Sequence, residues 1–191
     1  RAVQFRFTFP ENDSSYVLLD GFYGGSMVKI LPEERKIIGY CQNNHGGVPA
    51  NFKNYFVAFF DKDFEIVKTW QDEVLQDSED AEGFHAGGIV GFRTKTGEQV
   101  KVKIASSFIS QEHAELNLKR EIGNKTLEEI KREGEAIWEK ELSKIKVEGG
   151  TEAQQKTFYS CLYRTLLFPR KLYEINALDE MVHYSPYNGE V

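Results

Sequence analysis

The chain changes its hydrophobic period once, near Ser110, and that change limits the folds open to it. Before it, apolar residues recur every second position. Val3, Phe5, Phe7 and Phe9 alternate with Gln4, Arg6 and Thr8, the period of a half-buried strand. After it, apolar residues fall at helical spacing behind clear start signals. Strands first and helices second mean an α+β chain or two domains, not an alternating α/β fold.

The strand half covers residues 1 to about 108. Pro10-Glu11-Asn12-Asp13 reads as a turn, and Tyr16-Val17-Leu18-Leu19 as a short strand. Met27–Leu31 and Lys36–Cys41 flank Pro32-Glu33-Glu34 as a hairpin. Tyr55-Phe56-Val57-Ala58-Phe59-Phe60 is apolar without a break, the pattern of a strand covered on both faces. A turn at Asp61-Lys62-Asp63 leads to Phe64–Trp70, and Gly88–Arg93 with Val100–Ile104 form a last hairpin. About eight strands punctuated by turns predict a β-sandwich.

In the helical half, Ser110 caps a helix reaching Glu121. Thr126 with Glu129 and Thr151 with Gln154 form capping boxes. Leu127, Ile130, Ile137, Trp138, Leu142 and Ile145 make one apolar stripe. Phe158, Cys161, Leu162, Thr165 and Leu166 make another, ended by Pro169. The glutamate- and lysine-rich stretch 112–148 reads as exposed helices lying across the sandwich. The last helix is apolar enough to need a partner.

Thirty acidic against twenty-four basic residues give a net charge of -6. That balance argues against nucleic acid or an anionic membrane surface as partner. No run approaches the roughly 18 to 20 apolar residues of a membrane span, and two cysteines exclude a disulfide scaffold. Cys41 and Cys161 are expected as buried free thiols. Both ends read as cut from something larger: Arg1 leads straight into a strand, and His183–Val191 is aromatic and turn-rich.

No short motif carries chemistry by itself. His45, His85, His113 and His183 match no zinc spacing; His113 is expected to be solvated, and His45 sits in a glycine-rich loop. Gly21-Phe22-Tyr23-Gly24-Gly25-Ser26 lacks a phosphate-loop ending and reads as a turn between strands. Asp61-Lys62-Asp63 lacks the later ligands of a calcium loop, and the acids between Asp72 and Glu82 read as solvated.

One segment is more specific. Gly149-Gly150-Thr151, followed by Phe158-Tyr159-Ser160-Cys161-Leu162-Tyr163-Arg164-Thr165-Leu166-Leu167-Phe168-Pro169-Arg170, resembles a stretch of the glycoside hydrolase family 92 α-mannosidases. The family pattern is GGT and then FYTALYxTxxxPR, with Ser160-Cys161 here in place of Thr-Ala. Arg1–Pro10 is similar to the family's RxxxxxFTFP strand. Ser107, Ser110, Ala114, Asn117 and Leu118 match its SxxSxxxAxxNL segment. Lys171–Asn176 and His183–Gly189 resemble the loop leading to the next barrel helix, although many members carry Ser-Asp where Tyr173-Glu174 stands.

The resemblance implies a mainly β fold: a β-supersandwich, an α-helical linker and the first helix of a truncated (α/α)6 barrel. Residues 1–108 would be the later part of the supersandwich, 109–148 the linker and 149–191 the start of the catalytic domain. The implied activity is inverting, calcium-dependent exo-hydrolysis of α-mannosides, such as the α-1,2 links of high-mannose N-glycans, by an enzyme exported to the periplasm or beyond. Inversion needs an acid and a base roughly 6.5–9.5 Å apart. In the family both carboxylates and the calcium ligands come from the barrel, so no catalytic residue is assigned here. Glu174, His183 and Tyr184 are the candidates for a sugar-binding rim. The expected partners are a mannose-containing glycan and the remainder of the same polypeptide, the fragment itself acting as an inactive wall of the site. The alternative is a non-catalytic carbohydrate-binding or interaction module, motivated by the 13% aromatic content.

Overall fold

Strand alternation and cap signals translate directly into elements. The computed structural model describes residues 1–168 and 171–191. The strands are β1 (Ala2–Phe9), β2 (Asn12–Leu31), β3 (Lys36–Cys41), β4 (Asn54–Phe60), β5 (Ile66–Gln71), β6 (Val74–Gln76), β7 (Asp80–Thr94) and β8 (Glu98–Ser107). Helices α1 (Gln111–Glu121), α2 (Leu127–Leu142) and α3 (Glu152–Leu166) follow, and then the short strands β9 (Tyr173–Ile175) and β10 (Met181–His183). Pro169, expected to end the third helix, and Arg170 of the same motif lie outside the described residues.

The first eight strands form one antiparallel sheet in the order β1-β8-β4-β3-β2-β7-β5-β6. Strands β1 and β7 stand five places apart in it, about 24 Å in a flat sheet. Yet the rings of Phe9 and Phe92 lie 6.4 Å apart, and those of Phe60 and Phe92 6.0 Å. The sheet therefore coils round its own inner face. The bend is helped by three irregularities in β2, between Asn12 and Ser15, Asp20 and Tyr23, and Tyr23 and Ser26. The last two occupy the glycine-rich stretch expected to be a turn: Gly21–Ser26 bulges but does not reverse the chain, so β2 is a single strand.

Inside the coil lie Val28, Ile30, Ile37, Ala58, Phe60, Val90, Phe92, Val100 and Val102, none more than 5% exposed. The apolar run of β4 behaves as its pattern predicts. Val57 and Ala58 point to opposite faces and both are fully buried, one face closed by the core and the other by α1, which packs on β4 and β8. Trp70 packs directly against Gly87; a Cβ at that position would sit 1.9 Å from the indole, so only glycine allows the approach.

Three expectations change. Val3, Phe5 and Phe7, on the apolar side of the alternation expected to be buried, are 43%, 41% and 36% exposed, and the rings of Phe5 and Phe7 stack on each other at 5.9 Å. His113 is half-buried rather than solvated, and its Nε2 has neither solvent nor a protein partner. Both cysteines are free, but Cys161 is exposed, because α3 buries none of its residues.

The described chain divides into two compact units, residues 1–124 with 173–191, and residues 125–172. In the second, both capping boxes form. Thr126 Oγ1 accepts from Glu129 N while Glu129 Oε2 accepts from Thr126 N, and Thr151 pairs with Gln154 in the same way. The Trp138 and Tyr163 rings meet at 4.5 Å.

Candidate functional site

The segment Tyr173–Val191, where the rim candidates lie, belongs to the same unit as the sheet. Its antiparallel pair β9–β10 places Tyr173 opposite His183 and Glu174 opposite Val182. The connecting turn is organised by Asn176, whose Oδ1 accepts from Leu178 N and Glu180 N, both at 2.9 Å. Asp179 completes it with φ +63°. Outside the turn, Arg120 donates to Asn176 O at 2.8 Å and pairs with Asp179 at 2.7 Å.

Strand alternation sends Glu174 the other way, into the protein, where it is 2% exposed. Ser107 Oγ donates to Oε2 at 2.7 Å, Asn117 Nδ2 to Oε2 at 2.8 Å and Phe108 N to Oε1 at 3.0 Å. All three donors are neutral, and each is itself held. Ser107 Oγ also accepts from Ile109 N at 2.9 Å, and Asn117 Nδ2 also donates to Ser106 O at 2.9 Å.

The SxxSxxxAxxNL segment is thereby decoded. Ser107 bridges Ile109 N and Glu174. Ser110 caps α1, accepting from His113 N at 3.2 Å. Ala114 and Leu118 are buried on the helix that packs on β4 and β8. Asn117 ties Ser106 O to Glu174. The helix cap and the Ala114–Leu118 face could be found from spacing; the pairing of Ser107 and Asn117 with Glu174 depends on a carboxylate 67 and 57 residues away.

Of the other rim candidates, Tyr184 is 9% exposed. Its hydroxyl donates to Asn51 Oδ1 at 3.0 Å, and its ring lies 6.0 Å from Phe52, which in turn lies 5.7 Å from Phe108. Asn51 Nδ2 donates to Gly189 O at 2.9 Å. Gly189 has φ +77°, and a Cβ there would fall 2.4 Å from Asn51 Oδ1, so a side chain is doubly excluded. His183 is exposed. The structure thus joins Glu174 and Tyr184 to the sheet from below and leaves His183 on the surface. The role of Asn51 carries no signal in spacing.

A second polar pair escaped the sequence reading. His85 Nε2 lies 2.8 Å from Asp20 Oδ1, and the His85 ring lies 4.1 Å from that of Tyr23. Beside it Phe22, Tyr23 and Phe84 are 53%, 46% and 65% exposed, with Tyr23 to Phe22 and Phe84 ring separations of 5.7 and 6.1 Å.

For metals, the described residues contain no group of three or more His, Cys, Asp or Glu that could hold an ion. Both Glu174 oxygens already accept bonds from the protein. In the acidic stretch, Asp77 pairs with Lys68, Glu82 accepts from Tyr40 and Asp72 accepts from His85 N. These donors do not fit a calcium site, which needs six to eight convergent oxygens. No described helix is long and apolar enough to cross a membrane.

With the geometry in place, comparisons identify relatives. The structure of the family GH92 inverting mannosidase BT2199 from Bacteroides thetaiotaomicron VPI-5482 is similar over 100% of this chain, with 39% identity and a TM-score of 0.95. The family GH92 α-mannosidase BT3965 from Bacteroides thetaiotaomicron is similar over 97%, with 27% identity and a TM-score of 0.78, and is also known in complex with mannoimidazole. The chain spans 26% and 27% of the lengths of these two proteins. A search of curated proteins finds no match. Residues 1–107 match the glycosyl hydrolase family 92 N-terminal domain and residues 113–191 its catalytic domain, so the chain belongs to glycosyl hydrolase family 92.

Proposed function

We propose that this chain is one part of an inverting α-mannosidase acting on α-1,2-linked mannose of high-mannose glycans in the periplasm or outside the cell. The carrying observation is the end-to-end likeness to a protein described as an inverting mannosidase, at 39% identity. Within that enzyme, residues 1–108 supply the later part of a β-supersandwich, 109–148 a helical linker and 149–191 the start of the helical catalytic domain. The chain contributes a wall of the site, and the acid, the base and the calcium ligands lie in the remainder of the polypeptide. Calcium, when bound, would help hold the sugar for attack by water. This chain's own residues bind and orient: Glu174, His183 and Tyr184 make up the rim segment, with His183 offered to the glycan and the other two holding it from beneath.

The test is an assay of the 191-residue chain on α-1,2-mannobiose with calcium, beside a polypeptide of the length of its relatives. The longer protein is expected to release mannose with inverted configuration, read by NMR, and the chain alone to release none. Robust turnover by the chain alone would refute the division of labour; a longer protein inert on every α-mannoside would refute the activity.

The exposed cluster of Phe22, Tyr23 and Phe84 favours a second reading, a sugar-binding module without catalysis, since aromatic faces stack on pyranose rings. Calorimetric titration of mannosides into the chain separates the two: micromolar binding supports the module, and its absence supports the wall.

A further inference from the structure

Among the described residues Glu174 is the largest fully buried polar side chain, and none of its hydrogen-bond donors there is a cation. A buried carboxylate is costly unless every oxygen is satisfied. Here three donors converge on two oxygens, and each donor has little freedom to turn away. Phe108 N is main chain. Asn117 would lose its bond to Ser106 O if its amide flipped. Ser107 Oγ is already committed as the acceptor for Ile109 N. Only a group that accepts at both ends fits this socket. An amide, which donates at one end, meets a donor whichever way it is turned.

The socket also sits at a junction. It is built from the end of β8 and the face of α1, and the carboxylate comes from β9. Residues 173–191 match the family's catalytic-domain description, yet they pack in one unit with the strands that match its N-terminal domain. Glu174, Asn176, Asp179, Tyr184 and Gly189 all tie this strap down, but among them Glu174 alone is a buried carboxylate.

We infer that Glu174 is a positioning residue: its carboxylate locks the 173–191 strap onto the β8–α1 junction and so fixes where His183 stands, without touching sugar itself. The functional half of this rests on the mannosidase reading; the clamp does not.

Two variants separate acceptor chemistry from volume. Glu174→Gln keeps the size and loses the double acceptor. Glu174→Asp keeps the double acceptor and loses one methylene. Hydrogen exchange in the 191-residue chain is expected to show the β9 and β10 amides exchanging about 10- to 100-fold faster in Glu174→Gln, with Glu174→Asp between it and wild type. The amides of β7 and β8 should be unchanged, which also controls for folding. Strap protection in Glu174→Gln equal to wild type, or a loss spread evenly over the sheet, would overturn the clamp. In the longer enzyme, Glu174→Gln is expected to raise KM for the mannoside about tenfold with kcat within about twofold. An unchanged KM despite a loosened strap would overturn its positioning role. A wild-type enzyme with no mannosidase activity would sink the functional reading while leaving the exchange result to judge the clamp.

Discussion

Ile30 and Phe92 in the sheet are completely shielded from water, whereas neither α2 nor α3 buries a single residue. The two regions are held together by different physics. The coiled sheet gains its stability from apolar side chains brought together from distant strands. The helices are specified by local devices, capping boxes at both starts and i,i+4 ion pairs such as Lys131–Glu135 and Lys156–Glu152, each worth only a few tenths of a kcal/mol to about 1. Some of their apolar residues remain largely uncovered, with Ile137 63% and Leu166 41% exposed.

The contrast predicts a hierarchy of mutational effects. Phe92→Ala should cost about 3–5 kcal/mol, by removing a ring that three others contact. Ile137→Ala should stay within about 0.5 kcal/mol. Denaturant titration of the two variants side by side would break the comparison if their losses were similar. Gly87→Ala comes next, at about 1–3 kcal/mol, because the added methyl must displace Trp70. A shift in tryptophan emission should accompany the lower midpoint, and an unchanged spectrum would contradict the close approach.

Thr126→Ala should cost about 1 kcal/mol and act within residues 125–172. Faster amide exchange confined to the first turns of α2 would sharpen the distinction, and spread into β7 would blur it. The last effect appears only at alkaline pH and belongs to Tyr40. Burial, and then its hydrogen bond to Glu82, push its phenol up to about 12 from an ordinary value near 10. The neutral phenol is thus favoured by folding. Its contribution is complete below the unfolded-state value and is lost as pH rises through the folded one. Stability of the sheet should therefore fall between about pH 10 and 12. Tyr40→Phe should flatten that part of the profile, and an unaltered slope would remove Tyr40 as its source.

Legibility in the sequence followed the range of each interaction. The helices could be read because a cap and its partner lie three residues apart, as with Thr126 and Glu129. The run Tyr55–Phe60 announced a strand covered on both faces, and Val57 and Ala58 are so covered. The bulged passage Gly21–Ser26 was misleading because glycines with positive φ serve turns and bulges alike; Gly24 and Gly25, at +92° and +102°, bend β2 without reversing it. The proposed rim segment rests on resemblance to a family, not on spacing. Nothing in the order of residues separates an inward Glu174 from an outward His183 until the register of β9 on β10 is known.

By itself, then, the sequence determined the order of strands and helices, the helix starts and the residues with apolar faces, since these depend on period and on neighbours a few positions away. Only the tertiary structure decided that Phe9 meets Phe92 across a coiled sheet, that β1 keeps Phe5 and Phe7 partly in water, and that Ser107 meets a buried carboxylate 67 residues away. Contacts of that range depend on the coiling of the whole sheet, and no local window of residues encodes it.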